Sequence, residues 1–155
     1  MEFIVKGRYD AGKHESDGRA WACISIGSFD GDWPNITAVN RMGLLKLHFH
    51  DADEKAEDAE VLTLFSEAHA DQILDFFNQH KDVDYILVHC TAGRSRSPAV
   101  AAAITKILGG DDSVWFRIKT PNALVYRTLL NRAFDRNLIQ GLPENMPESD
   151  GRFCI

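Results

Sequence analysis

Two hydrophobic periods run along this chain, and the order in which they appear predicts its architecture. Residues 3–5 and 21–26 are short apolar runs rich in Ile, Val and aromatic side chains, the composition of strands. Over residues 44–49, Leu45, Leu47 and Phe49 alternate with polar neighbours, which predicts a third strand with one face turned inward. The period then lengthens. Between 66 and 79, Ala70, Ile73, Leu74, Phe76 and Phe77 fall close to helical spacing, with Ser66 and Glu67 suited to the first turn. Tyr85-Ile86-Leu87-Val88 is a continuous apolar run, the pattern of a strand covered on both faces in a parallel sheet. Residues 98–104 read as a second helix, with Ser97 as its expected N-cap and Pro98 in its first turn. Gly109-Gly110 stops it, Asp111 and Asp112 are expected to cap a short helix through Trp115, and a last helix is expected over 122–136. This order predicts an α/β fold, a central and mainly parallel twisted sheet flanked by helices. One domain over residues 1–140 is expected, followed at 141–155 by a polar, proline-containing segment that reads as a flexible tail.

A chain of 155 residues is long enough for one real core and short for two. Its net charge of −6 argues against nucleic acid as a main partner, and Arg117, Lys119, Arg127, Arg132 and Arg136 read mostly as a solvated helix face. No run approaches the roughly twenty apolar residues of a membrane span, and the N-terminus lacks the cationic and apolar pattern of a secretory signal. The three cysteines, Cys23, Cys90 and Cys154, suggest no disulfide framework, and Cys23 reads as a small core residue of the second strand. A reducing, cytoplasmic location is expected.

The chemistry concentrates between the buried strand and the second helix, at His89-Cys90-Thr91-Ala92-Gly93-Arg94-Ser95-Arg96-Ser97-Pro98. A tight loop from a strand's carboxyl end into a helix N-terminus converges backbone N–H groups on one anion, here those of Thr91, Ala92, Gly93, Arg94, Ser95 and Arg96. Gly93 permits a turn that a side chain would obstruct. A helix N-terminus and nearby Arg or His favour a thiolate over a thiol, so Cys90 is the expected nucleophile. Arg96 has the planar fork that holds two phosphate oxygens at once. Ser97 can hydrogen-bond the sulfur or assist its departure, and His89 is expected to orient the loop. Together these residues suit binding and attack of a phosphate.

Expelling an alkoxide or phenoxide from phosphorus requires a proton donor, normally a carboxylic acid on a second loop. The run that turns acidic after the third strand, Asp51, Asp53 and Glu54, supplies the candidates; Glu57, Asp58 and Glu60 read as surface charges. His48 and His50 share a strand face and could form a metal site with Asp51, but without further ligands at a recognisable spacing they read as bracing side chains, and no metal or other cofactor is expected. Asn122, in Pro121-Asn122, reads as a helix cap.

The ten-residue loop resembles the signature loop of the protein tyrosine phosphatase superfamily, and its mid-chain place in a short protein is most similar to the dual-specificity branch. The resemblance implies metal-free, two-step hydrolysis of a phosphomonoester through a phosphocysteine at Cys90, with Arg96 holding phosphate. It favours Asp51 as the acid, with Asp53 second, and gives Asn122 a second reading, as a brace for the phosphate loop. The expected partner is a phosphorylated protein, phosphotyrosine first. A phosphoinositide or other small phosphoester, or a phosphate-binding module without turnover, are the alternatives.

Overall fold

Every residue of the runs Trp21–Gly27 and Tyr85–Cys90 is buried, so these strands lie in the middle of a sheet covered on both faces. The computed structural model, which describes residues 1–147, contains four strands in a single sheet. They are β1 (Glu2–Gly7), β2 (Trp21–Gly27), β3 (Arg41–His48) and β4 (Tyr85–Cys90), in the order β1-β4-β2-β3 with every pairing parallel. The expected α/β architecture is present. β3 begins at Arg41, before the alternating run, because its ladder with β2 continues past the residues whose side chains alternate. As an edge strand it exposes Arg41, Met42 and Lys46, and a lysine on an edge discourages further pairing.

Five helices complete the described fold: α1 (Arg8–Gly12), α2 (Glu67–Gln79), α3 (Arg96–Ile107), α4 (Ser113–Ile118) and α5 (Ala123–Asp135). In α2 the five apolar residues at helical spacing are all buried. Ser66 caps it through a capping box in which His69, not the usual Glu or Gln, accepts the N-cap N–H at 3.0 Å. α3 is buried all round from Arg96 to Ile104, and its alanines at 99, 101, 102 and 103 let its backbone approach the sheet closely. The expected start of this helix is corrected: it begins at Arg96, with Ser95 at the N-cap position, so Ser97 lies inside the first turn. Asp111 Oδ1 accepts the Ser113 N–H at 2.9 Å ahead of α4, whereas Asp112 turns to the Tyr126 hydroxyl.

The helices are unevenly distributed. α2, α3 and α5 build the larger core on one face, against Ile24, Ile26, Ile86 and Val88. The other face is covered by Ala11 of α1 and by Ile36 from the β2–β3 connection, over Trp21, Cys23, Tyr85 and Leu87. The chain therefore leaves β1 and β2 toward one face but leaves β3 and β4 toward the other. At the carboxyl edge neighbouring strands thus send the chain to opposite faces, which is where open parallel sheets place their sites. Residues 141–147 of the expected tail are described, with Met146 packed against the larger core; residues 148–155 lie outside the described residues. No helix among the described residues is long and apolar enough to cross a membrane.

Candidate active site

Register sets the site. Cys90 ends β4 beside Gly7 of β1, and Ser25 of β2 pairs with His89, so the loop after Cys90 emerges between two other strand ends. Close approach of these backbones requires glycine at position 93 and leaves little room at position 7. Gly93 has φ +70°, and a Cβ there would stand 2.6 Å from Gly7 N and from Lys6 C. Gly7 in turn packs against the Ala92 and Thr91 carbonyls, and the Arg8 N–H donates to Thr91 O at 3.0 Å. His89 is fully buried, its Nε2 hydrogen-bonded to the Ser25 hydroxyl. Its pKa is lowered chiefly by burial, with Arg8 and Arg96 adding to the effect, so the ring is neutral at neutral pH and acts as a strut.

Cys90 Sγ lies 3.1 Å from Ser97 Oγ and accepts the Gly93 N–H at 3.3 Å. Two polar groups thus face the sulfur from the loop and from the first turn of α3.

Arg96 is 2% exposed, yet within the described residues all its hydrogen bonds go to neutral oxygens. Nη1 donates to Phe49 O at 2.8 Å, Ser28 Oγ at 3.1 Å and Gly27 O at 3.4 Å, and Nη2 donates to Thr91 Oγ1 at 2.9 Å. Its Nε is buried without a partner. A buried donor on a charged fork costs stability unless something completes it, and an oxyanion in the loop is the natural complement.

The segment after β3 meets the loop at Ser95 and the start of α5 at Asn122. Asp51, 6% exposed, accepts on Oδ1 from the Ser95 hydroxyl at 2.7 Å and from Asn122 Nδ2 at 2.9 Å. Asn122 also donates to Ala52 O at 3.2 Å, while its Oδ1 accepts the Val125 N–H at 3.0 Å and its N–H donates to Ser95 O at 3.0 Å. The Asn122 side chain therefore caps α5 and holds Asp51 and Ala52, while its backbone N–H meets the loop at Ser95 O. Asp53 is buried and accepts the Lys55 N–H at 2.9 Å within its own turn. Glu57, Asp58 and Glu60 are exposed. His50 braces the segment by accepting the Thr63 N–H at 3.0 Å, and His48 packs edge-on against Trp33. Thr91, Gly93, Ser95 and Arg96 turn inward, whereas Ala92 and Arg94 face solvent on the rim.

No protein-family model matches this sequence, and no curated protein matches it. Solved structures do. The human tyrosine phosphatase-like serine/threonine/tyrosine-interacting protein superposes with a TM-score of 0.56 at 19% identity, over 87% of this chain and 93% of that one. Human DUSP28 gives 0.54 at 18% identity, over 87% and 93%. The fold is that of the dual-specificity phosphatases. A putative mouse dual specificity phosphatase, solved with zinc tungstate, gives 0.50 at 20% identity, over 84% of this chain and 77% of that one. At such identities the likeness concerns the dual-specificity phosphatase fold.

Within that fold the sequence missed three contributors. Ser28 supports Arg96, Ser25 supports His89, and Arg8 joins the loop to the β1 exit and pairs with Asp32 after β2. Ser28 and Arg8 each follow a strand end and Ser25 lies near the end of β2, so the signal lies in strand order.

Proposed function

We propose that this protein is a cysteine-based phosphomonoester hydrolase, acting on phosphorylated protein. The observation that carries the proposal is Arg96: a buried guanidinium with an unpartnered Nε, fixed beside a thiol that already meets two polar groups. Arg127 Nε is also buried without a partner, but its guanidinium pairs with the Glu54 carboxylate, whereas among the described residues Arg96 meets only neutral oxygens. A phosphate dianion completes it.

In the first step Cys90 Sγ, as a thiolate, forms a bond to phosphorus while the bond to the ester oxygen breaks. Asp51 gives its proton to that departing oxygen. The loop N–H groups and the Arg96 fork hold the non-bridging oxygens, where charge builds in the transition state. In the second step water attacks phosphorus, Asp51 takes the water proton, the S–P bond breaks, and inorganic phosphate leaves. Ser97 Oγ, 3.1 Å from the sulfur, stabilises the departing thiolate. The fastening of Asp51 Oδ1 by Ser95 and Asn122 leaves Oδ2 as the oxygen to carry the transferred proton. Asp53, engaged with its own turn, is the weaker choice.

The test is hydrolysis of an aryl phosphate and of phosphotyrosyl and phosphoseryl peptides with a chelator present. Cys90→Ser is expected to abolish turnover, and Asp51→Asn to cost about 10²–10⁴-fold. Turnover retained in Cys90→Ser, or lost to the chelator alone, would overturn the reading. Oxyanion binding without any turnover by the wild type would make the protein a phosphate-binding module.

A further inference from the structure

One carboxylate that the mechanism leaves unused closes a ring of contacts beside the phosphate loop. Arg96 Nη1 donates to Ser28 Oγ at 3.1 Å, and Nη2 donates to Thr91 Oγ1 at 2.9 Å. Thr91 O accepts the Arg8 N–H at 3.0 Å, and the Arg8 guanidinium pairs with Asp32 Oδ1. Asp32 Oδ2 accepts the Ser28 N–H at 2.9 Å, which closes the ring. The ring joins residues that follow β1, β2 and β4, and Asp32 uses one oxygen on each of its arms.

Arg96 depends on both arms. Among the described residues Nη2 donates to Thr91 Oγ1, and Nη1 divides its bonds between Ser28 Oγ and the Phe49 and Gly27 carbonyls. A hydroxyl rotates to suit its partner, so Ser28 and Thr91 direct a guanidinium only where the backbone beneath them is held. Asp32 holds it at Ser28 directly and at Thr91 through Arg8. Its own place is fixed as well. The side chain is 17% exposed, the Asp32 N–H donates to Phe29 O at 3.1 Å, and a Cβ at Gly27 would stand 2.5 Å from Asp32 O. Both charges of the pair reach buried His89, Arg8 lowering its pKa and Asp32 raising it, so Asp32 offsets Arg8 beside the loop.

We infer that Asp32 is a positioning residue for Arg96: it holds Ser28 and Arg8 so that the guanidinium presents its fork to the oxyanion in the loop. The inference rests on the proposed phosphate site and adds a residue to its support. Charge and position make opposite demands here, which gives the effect a diagnostic sign. By Coulomb's law, removing a carboxylate near an anion site strengthens anion binding. Opening the ring weakens it, since a displaced fork loses the alignment of its paired bonds.

The experiment measures tungstate Kd by calorimetry and kcat/KM for a small aryl phosphate. The proteins are the wild type, Asp32→Ala, Asp32→Asn, Ser28→Ala, the double variant Ser28→Ala/Asp32→Ala and, as a control, Asp71→Ala. Asp32→Ala is expected to weaken tungstate binding about tenfold, the effect of one hydrogen bond to a charged group, and to lower kcat/KM by at least as much. Asp32→Asn keeps the size and one acceptor, so it should lose severalfold, and it carries the test if the alanine variant does not fold. Because Asp32 acts in part through Ser28, the double variant should lose clearly less than the product of the two single losses. Asp71 pairs with Arg132 and Arg136 between α2 and α5, so Asp71→Ala also removes ion pairs but should leave Kd unchanged. Tungstate binding that is unchanged or tighter in both Asp32 variants would overturn the inference. So would the full product of losses in the double variant, or an equal loss in Asp71→Ala. A wild type that binds tungstate but hydrolyses nothing refutes the phosphatase reading alone, and the Kd series still decides Asp32. A wild type that binds no tungstate overturns both.

Discussion

Oxyanion binding should stabilise this fold through Arg96, and the size of the effect can be worked out. The guanidinium is 2% exposed, and the partners it has among the described residues are the neutral oxygens of Phe49, Ser28, Gly27 and Thr91, with Nε left over. Hydrogen bonds to a charged group contribute about 1.5–3 kcal/mol each, while burying an ion costs several kcal/mol, so in the free protein the two nearly cancel. Arg96→Met, of similar length and apolar, is therefore expected to melt within a few degrees of the wild type. Its chief loss is the ligand. Gly27 O keeps the Phe49 N–H at 3.0 Å when the arginine is removed, which limits the damage to the strand ends. With tungstate at 100 times its Kd, binding stabilises the wild type by about 2.7 kcal/mol. For a chain of this size each kcal/mol moves Tm by roughly 2–4 °C, so the expected rise is roughly 5–11 °C. Scanning fluorimetry over a tungstate series measures it, with sodium chloride of equal ionic strength as the control. A shift of the same size in Arg96→Met, or none in the wild type at any concentration, would refute the assignment of Arg96 as the oxyanion's anchor.

Three further outcomes are expected. Cys23 is fully buried, and burial pushes its thiol up to about 12, so iodoacetamide at pH 8 should label Cys90 while sparing Cys23, as peptide mass spectrometry would show; prompt labelling of Cys23 in the folded protein contradicts the packing. Asn122→Ser keeps an N-cap oxygen for Val125 but loses the buried donor to Asp51, so stability should fall by about 1.5–3 kcal/mol while kcat/KM, measured well below Tm, falls about tenfold or more. Activity that falls only in step with stability would leave Asn122 as a cap alone. Burial is the first cause holding His14, His69 and His89 below the ordinary imidazole value of 6.5, with Lys6 adding to it at His14. The folded chain then binds fewer protons than the unfolded one, so the stabilisation is full above pH 6.5 and is lost as pH falls through the folded values. The urea midpoint should drop between pH 7.5 and 5.5, and a midpoint that is flat or rises on acidification counts against it.

Much of the site was legible because its parts are local. Cys90, Gly93, Arg96 and Ser97 lie within eight residues, and a strand-loop-helix segment largely dictates its own geometry once the strand is buried. The helix start was misplaced by that same local logic. Ser97 before Pro98 has the pattern of a cap, but the Ser95 hydroxyl is drawn to Asp51, and the helix begins a turn's fraction earlier around Arg96. Local pattern cannot register a partner 44 residues away.

The amino-acid sequence by itself determined the periods of its strands and helices, the position of the proposed nucleophile, and the chemistry a thiol and a fork at that spacing can perform. These depend on neighbours in the chain. Only the tertiary structure decided strand order, and with it everything that meets across strand ends: Ser28 and Phe49 O on Arg96, Ser25 on His89, Gly7 beneath Gly93, and Asn122 on Asp51. Parallel strands pair through long connections, so residues brought together at their ends can be far apart in sequence, as Gly7 and Gly93 are, and burial rather than sequence proximity chooses them.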